Sequence, residues 1–427
     1  MNIRITATLI LVFCIIASCM AQAQKTGSRV WLLRDGEIFE YDPLTWKITN
    51  AIKATKSISQ DPERLQITHT GEMLFYLDSK MGLGNPADQN SPDTVWLWNG
   101  RAESLLNRKL VNRSVSAGGD RLMETESKPE LSLSKDGRKL YWFANESTIL
   151  KRENGEDLSA STTFRVWQTD LAGLNRLEIA SHTFRPCTCE TGACSESCPE
   201  ADFWFPEDGV DDFFIVSYWI PGQLGSEYKD SYIYRKAGGK WSEDKSGRVF
   251  EVVLDATRDG NAIIHAVRDG ACCGWENEGN DQTMLFAGGR NTVIFDEQKK
   301  FSNPDYDVSF YTSKATLSPD GTLAAISIVS TYQQGDELRL SSDGKKNPEE
   351  LARIRRALDT LPGIEVLRVA DPMKPLISLP RATLAGWLNN QEILGIENGL
   401  LFTFNIAQNA RKETGIKVPK KSSVFVR

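Results

Sequence analysis

The sequence predicts an all-β protein: a β-propeller of seven four-stranded blades, closed by strands from both ends of the chain. The first observation behind this is recurrence. A short unit, made of an alternating apolar run, a turn and a denser apolar run, returns along the 427 residues. Its clearest copies are residues 131–143 and 315–326. Each unit needs neighbours to cover its apolar face, so recurrence at this scale predicts a closed set of stacked repeats.

The turn of each unit gives a fixed point for counting units. Six such points occur along the chain: Gly71, Gly137, Gly209, Gly260, Gly321 and Asn390. The Asp-Gly pairs among them supply the positive φ of a tight hairpin, and the alternation before them predicts a strand with one inward face. The intervals run from 51 residues, Gly209 to Gly260, to 72 residues, Gly137 to Gly209. A blade needs ~40–50 residues, so we expect insertions in the loops.

The chain ends are the second observation, and they predict the seventh blade. Three strand-like segments near Arg29, Glu37 and Trp46 precede the first unit and form a blade that lacks one strand. Residues 422–427 remain as an apolar segment after the last unit. We expect this tail to complete the N-terminal blade, because a ring closed by both ends leaves fewer unpaired strand edges.

One segment departs from the all-β pattern. Asn347 is a helix-capping residue, Pro348 suits the first helical position, and apolar residues then recur on one face as far as Leu358. We therefore predict a short helical insertion over about 347–360, between two strands of one blade.

The N-terminal residues predict export. Arg4 precedes a compact apolar stretch, and a small-x-small cleavage site ends at Ala23, so residues 1–23 have the pattern of a signal peptide before a single propeller domain over 28–427. Alternatively, the residues before Cys19 resemble a lipobox, which would place a lipid on Cys19 and tether the protein to a membrane. Both alternatives predict a location outside the cytosol: periplasmic, secreted or anchored to the outer membrane. We expect no other membrane contact.

Six cysteines of the propeller region are candidates for disulfide bonds: Cys187, Cys189, Cys194, Cys198, Cys272 and Cys273. An even number in an oxidising compartment predicts pairing, although six cysteines allow 15 connectivities. The four thiols between positions 187 and 198 could instead hold a zinc ion. We favour disulfides, because thiols outside the cytosol oxidise in pairs.

The loop around Cys272 and Cys273 is the candidate ligand loop. Adjacent cysteines can close a strained ring that fixes a flat patch of backbone beside Trp275, whose ring could stack on a sugar. Glu276 and Asn277 follow in the same loop. Alternatively, each cysteine pairs with one of the 187–198 segment and joins two adjacent blades. We favour this structural role.

The turn motif resembles that of a known family. Leu-Ser-Pro-Asp320-Gly321, with Leu-Ser-Lys-Asp136-Gly137 as a weaker copy, resembles the repeat of TolB-like (WD-like) β-propellers, which are exported bacterial proteins. The resemblance implies a propeller fold, a periplasmic or surface setting and a role in binding other molecules. It carries no catalytic residue, because the matching Ser, Asp and Gly positions are turn formers.

Composition and motifs limit the function further. Fifty basic against 57 acidic residues give a net charge of -7, the opposite of the basic surface that nucleic acid selects. The sequence contains no nucleophile elbow, zinc-protease motif or phosphate-binding loop. Of its three histidines, His265 lies in a predicted buried strand and is expected to be a core residue. Residues 202–212 could supply carboxylates for calcium, but an acidic turn fits them better.

We therefore expect a non-catalytic, exported propeller that binds a protein or a small polar ligand, such as a glycan, at a rim, without a cofactor or metal. The alternative is a carbohydrate-active or quinoprotein-like enzyme with its site at the central channel. Paired carboxylates or a metal inside the channel would favour the enzyme, and an apolar or charged patch on an outer face would favour the scaffold.

Overall fold

The structure is a computed structural model. It describes residues 28–53, 65–68, 70–76, 95–98, 103–105, 112–118, 121–127, 131–151, 158–183, 187–189, 200–222, 225–245, 247–267, 282–296, 308–332, 363–420 and 422–427. These residues form strands and turns, with no helix among them. The prediction of an all-β, seven-bladed propeller is confirmed. The predicted helix over 347–360 lies outside the described residues, between two strands of blade 6.

Seven antiparallel sheets of four strands form the blades. Blade 1 contains β31 (Ser423–Val426), β1 (Val30–Arg34), β2 (Glu37–Tyr41) and β3 (Ile48–Lys53). Blade 2 contains β4 (Leu65–Ile67), β5 (Met73–Tyr76), β6 (Val95–Trp98) and β7 (Glu103–Leu105). Blade 3 contains β10 (Leu131–Leu133), β11 (Lys139–Lys151), β12 (Leu158–Asp170) and β13 (Leu177–Thr183). Blade 4 contains β15 (Glu200–Trp204), β16 (Phe213–Gly222), β17 (Gly225–Ala237) and β18 (Lys240–Lys245).

The remaining blades follow the same order. Blade 5 contains β19 (Val252–Ala256), β20 (Ala262–Val267), β21 (Gln282–Ala287) and β22 (Arg290–Asp296). Blade 6 contains β23 (Val308–Leu317), β24 (Leu323–Tyr332), β25 (Ile364–Arg368) and β26 (Ile377–Leu379). Blade 7 contains β27 (Thr383–Asn389), β28 (Glu392–Glu397), β29 (Leu400–Asn405) and β30 (Ala410–Lys417). Three further strands extend the sheet of blade 3: the hairpin β8 (Asn112–Gly118) and β9 (Arg121–Ser127), and β14 (Cys187–Cys189).

The two chain ends share blade 1, as the sequence predicts. Strand β31 pairs antiparallel with β1, with Val426 opposite Val30 and Phe425 opposite Trp31. Strand β31 therefore takes the place of the first strand that the N-terminal blade lacks. This pairing leaves β1 with no free edge, because β2 covers its other side.

Apolar side chains fill each junction between neighbouring blades. Trp31 of blade 1 packs in one cluster with Ile67 of blade 2, and Leu74 of blade 2 packs with Leu140 of blade 3. Equivalent clusters join blades 3 and 4, 4 and 5, 5 and 6, 6 and 7, and 7 and 1. Seven clusters thus close the ring, which explains why the second strand of each unit is apolar on both faces.

The six turn points all lie in the hairpin between the first and second strands of a blade, as predicted. In blade 3, Ser134 Oγ accepts the backbone N–H groups of Arg138 (3.1 Å) and Lys139 (2.8 Å) and donates to Asp136 Oδ1 (2.6 Å). In blade 6, Ser318 donates to Asp320 in the same way, at 2.7 Å. The recurrent Ser and Asp side chains therefore form their hydrogen bonds within their own turns.

A turn glycine also sets how closely two blades approach. Gly209 in blade 4 has a φ of +107°, and a Cβ there would lie 2.7 Å from the backbone of Lys135 in blade 3. Backbone hydrogen bonds from Lys135 to Val210 (2.9 Å) and from Val210 to Leu133 (2.8 Å) fix the two turns together. The first turns of neighbouring blades consequently gather on one face of the ring.

Candidate functional site

A cavity of about 760 Å³ opens at the end of the central channel where the first turns of the blades gather. We call it the turn-side cavity. Its wall comes from the first strands and turns of blades 1 and 3 to 7. The charged residues of the wall are Lys135, Glu207, Asp208, Asp255, Arg258, Lys314 and Arg427. They come from five different blades, so the folded ring alone brings them together.

An ion pair between Glu207 and Arg427 stands inside this cavity. Arg427 Nη1 lies 2.7 Å from Glu207 Oε2, and its Nε donates to the backbone carbonyl of Ile67 at 3.0 Å. The Arg427 side chain is 6% exposed, whereas that of Glu207 is 56% exposed. The guanidinium of Arg427 and then the ammonium of Lys314 lower the pKa of Glu207 to about 2. Glu207 is therefore a fixed negative charge at any physiological pH.

Asp255 is the second carboxyl group of the cavity. Its Oδ2 accepts the backbone N–H of Leu317 in blade 6 at 2.7 Å, and its Oδ1 accepts the N–H of Ala256 at 2.8 Å. Burial raises the pKa of Asp255 to about 7, and the charge of Glu207 adds to the rise. The Leu317 N–H and Lys314 oppose the shift without cancelling it. The pKa of Asp255 therefore lies near neutral pH, far above that of an ordinary aspartate.

Lys314 supplies a positive charge that acts on both of these acids. Its ammonium group donates to the backbone carbonyl of Ala385 in blade 7 at 2.8 Å. It lowers the pKa of both Glu207 and Asp255. Within the described part of the chain it forms no ion pair with either.

The outer edge of the cavity carries a separate charge cluster. Asp208 lies 3.1 Å from Lys135 Nζ and 3.3 Å from Arg258 Nη2, so it joins the turns of blades 3, 4 and 5. Two tryptophans, Trp204 and Trp387, supply apolar wall beside these charges. Such a mixture of apolar surface and a few polar groups is typical of a small-molecule site.

The site residues predicted from the sequence lie mostly outside the described residues. These are Cys19, Cys194, Cys198, Cys272, Cys273, Trp275, Glu276 and Asn277. Cys187 and Cys189 lie on β14, whose backbone pairs with Ala160 and Leu158 at the start of β12. Their disulfide pairing stays a prediction.

Sequence reasoning did not identify Asp255 or Lys314 as site residues, and it considered Arg427 only as part of the closing strand. Glu207 was considered only within residues 202–212, as a calcium carboxylate or, in the favoured interpretation, as part of an acidic turn. One signal could have found Asp255: aligning the units on their turns. The position two residues before the turn Ser or Thr is Gln66 in blade 2, Ser132 in blade 3, Asp255 in blade 5 and Thr316 in blade 6. Asp255 is the acid in this series, which marks it as a departure from the repeat.

The structure also bears on metal-binding groups, membrane-spanning helices and His265. The described residues contain no group of three or more His, Cys, Asp or Glu side chains arranged to hold a metal ion. A helix long and apolar enough to cross a membrane is likewise missing from the part of the chain that the structure describes. His265 is buried in β20, where burial lowers its pKa and Asn291 lies 3.4 Å from its Nε2.

The fold and cavity define the protein as a seven-bladed β-propeller with a charged cavity at one end of its channel. A scan against protein-family models gave no match, and no curated protein matched the sequence. Solved propeller structures are similar to it, but only at about 10% sequence identity. Apo AztD from Citrobacter koseri is 10% identical, with a TM-score of 0.41 over 94% of this chain and 98% of its own.

Two further similar structures are enzymes by their descriptions. Dipeptidyl peptidase 4 from Porphyromonas gingivalis is 9% identical, with a TM-score of 0.40 over 92% of this chain and 58% of its own. The dihydro-heme d1 dehydrogenase NirN in complex with DHE is 9% identical, with a TM-score of 0.38 over 93% of this chain and 74% of its own. At these TM-scores the fold rests on the strand pairing described above, and the likenesses do not separate binding from catalysis.

Proposed function

We propose that this protein is an exported, non-catalytic propeller that binds a small polar ligand in the turn-side cavity. The observation that carries the proposal is the set of charged groups inside the channel. Glu207, Asp255, Lys314 and Arg427 reach it from blades 4, 5, 6 and 1. Two of these groups are withdrawn from bulk water, because the Arg427 side chain is 6% exposed and burial raises the pKa of Asp255. Burying such groups costs stability unless their charges are compensated, and apolar residues could close a ring equally well. A charged lining is therefore better explained by recognition.

The size of the cavity supports the same function. A volume of about 760 Å³ lies within the range of roughly 300–1,000 Å³ that small-ligand sites occupy. The wall is carried by strands of a closed ring, so its geometry is fixed before a ligand arrives. Such preorganisation lowers the entropic cost of binding.

The exported setting and a protein partner at a rim belong to the proposal on sequence grounds alone. The signal-like pattern over 1–23 and the resemblance to TolB-like propellers support them. Ligand binding in the turn-side cavity is compatible with a soluble protein and with a lipid-anchored one.

A thermal-shift panel tests the proposal. The purified protein is heated with neutral sugars, sugar acids, amino acids and short peptides, and Tm is recorded for the wild type, Glu207→Gln and Glu413→Gln. Glu413 is the matched control because Arg411 Nε holds its Oε1 at 2.7 Å, as Arg427 holds Glu207, but on the outermost strand of blade 7. We expect at least one compound to raise the Tm of the wild type and of Glu413→Gln, and to lose most of this effect with Glu207→Gln.

Two outcomes would contradict the proposal. The first is that no compound raises Tm. The second is that the same compounds stabilise Glu207→Gln as strongly as they stabilise the wild type. Either result would mean that the turn-side cavity does not bind these ligands.

An enzyme with its site in the channel is the second candidate, and the two carboxyl groups favour it. Glu207 is held ionised while the pKa of Asp255 is raised, and such separated acids are typical of acid–base pairs. Against this, Glu207 is engaged by Arg427 and both Asp255 oxygens accept backbone N–H groups. Mass spectrometry of each stabilising compound after incubation separates the candidates: a binding protein leaves the compound intact, and an enzyme converts it.

A further inference from the structure

The charges of the turn-side cavity are unevenly compensated. Glu207 pairs with Arg427, and Asp208 lies between Lys135 and Arg258. Lys314 differs, because within the described residues no carboxylate lies at ion-pair distance from its ammonium group. Its one hydrogen bond goes to the carbonyl of Ala385, whereas an ammonium group carries three donors.

Asp255 offsets the Lys314 charge only in part. Its two carboxylate oxygens already accept backbone N–H groups from Leu317 and Ala256. Burial and the neighbouring Glu207 favour its neutral form, so a fraction of molecules holds no charge there at pH 7. Among the described residues, the positive charge of Lys314 is thus only partly balanced by negative charge in the inner cavity.

A ligand can supply that charge. Resting on the proposed function, we infer that the cavity binds a small molecule through a single carboxylate group, which accepts a hydrogen bond from the ammonium group of Lys314. A group with two negative charges fits less well, because Glu207 and Asp255 flank the same space and repel it. The hydroxyl or amide groups of such a molecule can donate to the exposed Glu207 carboxylate, while Trp387 offers apolar wall.

This inference has a consequence for pH. The charged groups around Asp255 are Glu207 and Asp208 of blade 4, Arg258 of its own turn, Lys314 of blade 6, Lys135 of blade 3 and Arg427 of blade 1. A carboxylate bound at Lys314 adds a negative charge beside Asp255 and so favours its protonated form. Binding then takes up a proton, and affinity falls as pH rises from 6 to 8.

The experiment is calorimetric titration with paired probes that differ only in charge. D-glucuronate and D-glucuronamide form the sugar-acid arm, and N-acetylalanine and N-acetylalanine amide form the amino-acid arm. We expect the carboxylate of one arm to bind roughly tenfold or more tightly than its amide, as a charge-assisted hydrogen bond provides. The arm that binds identifies the source of the carboxylate.

Variants locate the effect. Lys314→Met keeps the length of the side chain and removes the charge, so the preference for acid over amide should disappear. Lys314→Arg keeps the charge and should retain the preference, which separates loss of recognition from loss of folding. Lys412→Met is the control, because Lys412 is exposed on β30 of blade 7.

Failure of this inference can be told from failure of the proposed function. If a neutral compound of the panel binds, is lost with Glu207→Gln and keeps its Kd with Lys314→Met, the cavity binds a ligand but not through a carboxylate. If acid and amide bind equally well to the wild type, the inference is likewise overturned. If nothing in the panel or the pairs binds, the proposed function itself fails.

Discussion

Two junctions between blades use the same hydrogen bond with different chemical groups. Where blade 2 meets blade 3, the side-chain carbonyl of Gln66 accepts the backbone N–H of Leu133 at 2.7 Å. Where blade 5 meets blade 6, the carboxyl group of Asp255 accepts the N–H of Leu317 at 2.7 Å. Both acceptors stand two residues before the Thr of a first turn, so they are equivalent positions of the repeat.

The comparison shows that the junction needs an acceptor and does not need a charge. Gln66 joins its blades with a neutral amide, whose nitrogen also donates to Ser132 Oγ at 2.8 Å. Asp255 also accepts a backbone N–H of the next blade, but with a carboxyl group whose ionisation is opposed by burial. A residue that weakens the fold at one copy of a repeat, where a neutral residue serves at another, is best explained by function.

The largest expected effect comes from making the two junctions chemically alike. Asp255→Asn keeps an acceptor for Leu317 and removes the charge. The pKa of Asp255 is about 7 in the folded state, above the ordinary value of ~3.9 in the unfolded chain, so wild-type stability falls as pH rises from about 4 to 7. We expect Asp255→Asn to raise the free energy of unfolding at pH 8 by about 2–4 kcal/mol.

Urea unfolding at two pH values checks this. The gain should shrink to below about 1 kcal/mol at pH 4.5, where wild-type Asp255 is protonated in the folded state. An equal gain at both pH values, or a loss at pH 8, would mean that the Asp255 charge carries no cost.

The reverse exchange at the other junction should have a smaller effect of opposite sign. Gln66→Glu places an ionisable group in the half-buried junction of blades 2 and 3. We expect a loss of about 1–2 kcal/mol at pH 8, because ionisation of a partly buried acid is opposed, and a smaller loss at pH 4.5. The measurement is again urea unfolding. A loss independent of pH would point to the missing Ser132 bond instead of the charge.

The smallest effect is expected at an aspartate of the repeat itself. Burial raises the pKa of Asp320, but hydrogen bonds from Ser318 and Thr322 outweigh this and leave the pKa lowered. Its contribution is therefore present at neutral pH and lost as pH falls below its folded-state pKa. Because Asp320 is exposed, Asp320→Asn should lower stability at pH 7 by less than about 1 kcal/mol. Thermal unfolding is the measurement. If Asp320→Asn lowers stability by as much as Asp255→Asn raises it, the turn acid and the cavity acid do not differ in the size of their effect.

The fold could be predicted because short turn motifs, whose hydrogen bonds are local, recur along the chain. The Ser-x-Asp-Gly turn of blade 3 forms its hydrogen bonds between residues at most five apart. Asp136 and Gly137 therefore predict a hairpin without knowledge of the other blades. The closing strand β31 could be inferred because the N-terminal blade is one strand short.

The cavity could not be predicted in the same way, because its members are far apart in the chain. Glu207 and Arg427 are separated by 220 residues, and Asp255 and Leu317 by 62. Only the angular spacing of the blades brings them together. The predicted ligand loop at Cys272 and Cys273 was chosen on local rarity, which gives no information about where the ring directs a side chain.

The most direct test of the account is the ionisation of Asp255. Aspartate labelled with ¹³C at the carboxyl carbon allows each carboxyl group to be titrated by NMR, and Asp255→Asn assigns the resonance by its disappearance. We predict that this resonance titrates near pH 7 in the free wild-type protein and moves to higher pH when a carboxylate ligand is bound. A resonance that disappears with Asp255→Asn and titrates below pH 5 would contradict the account.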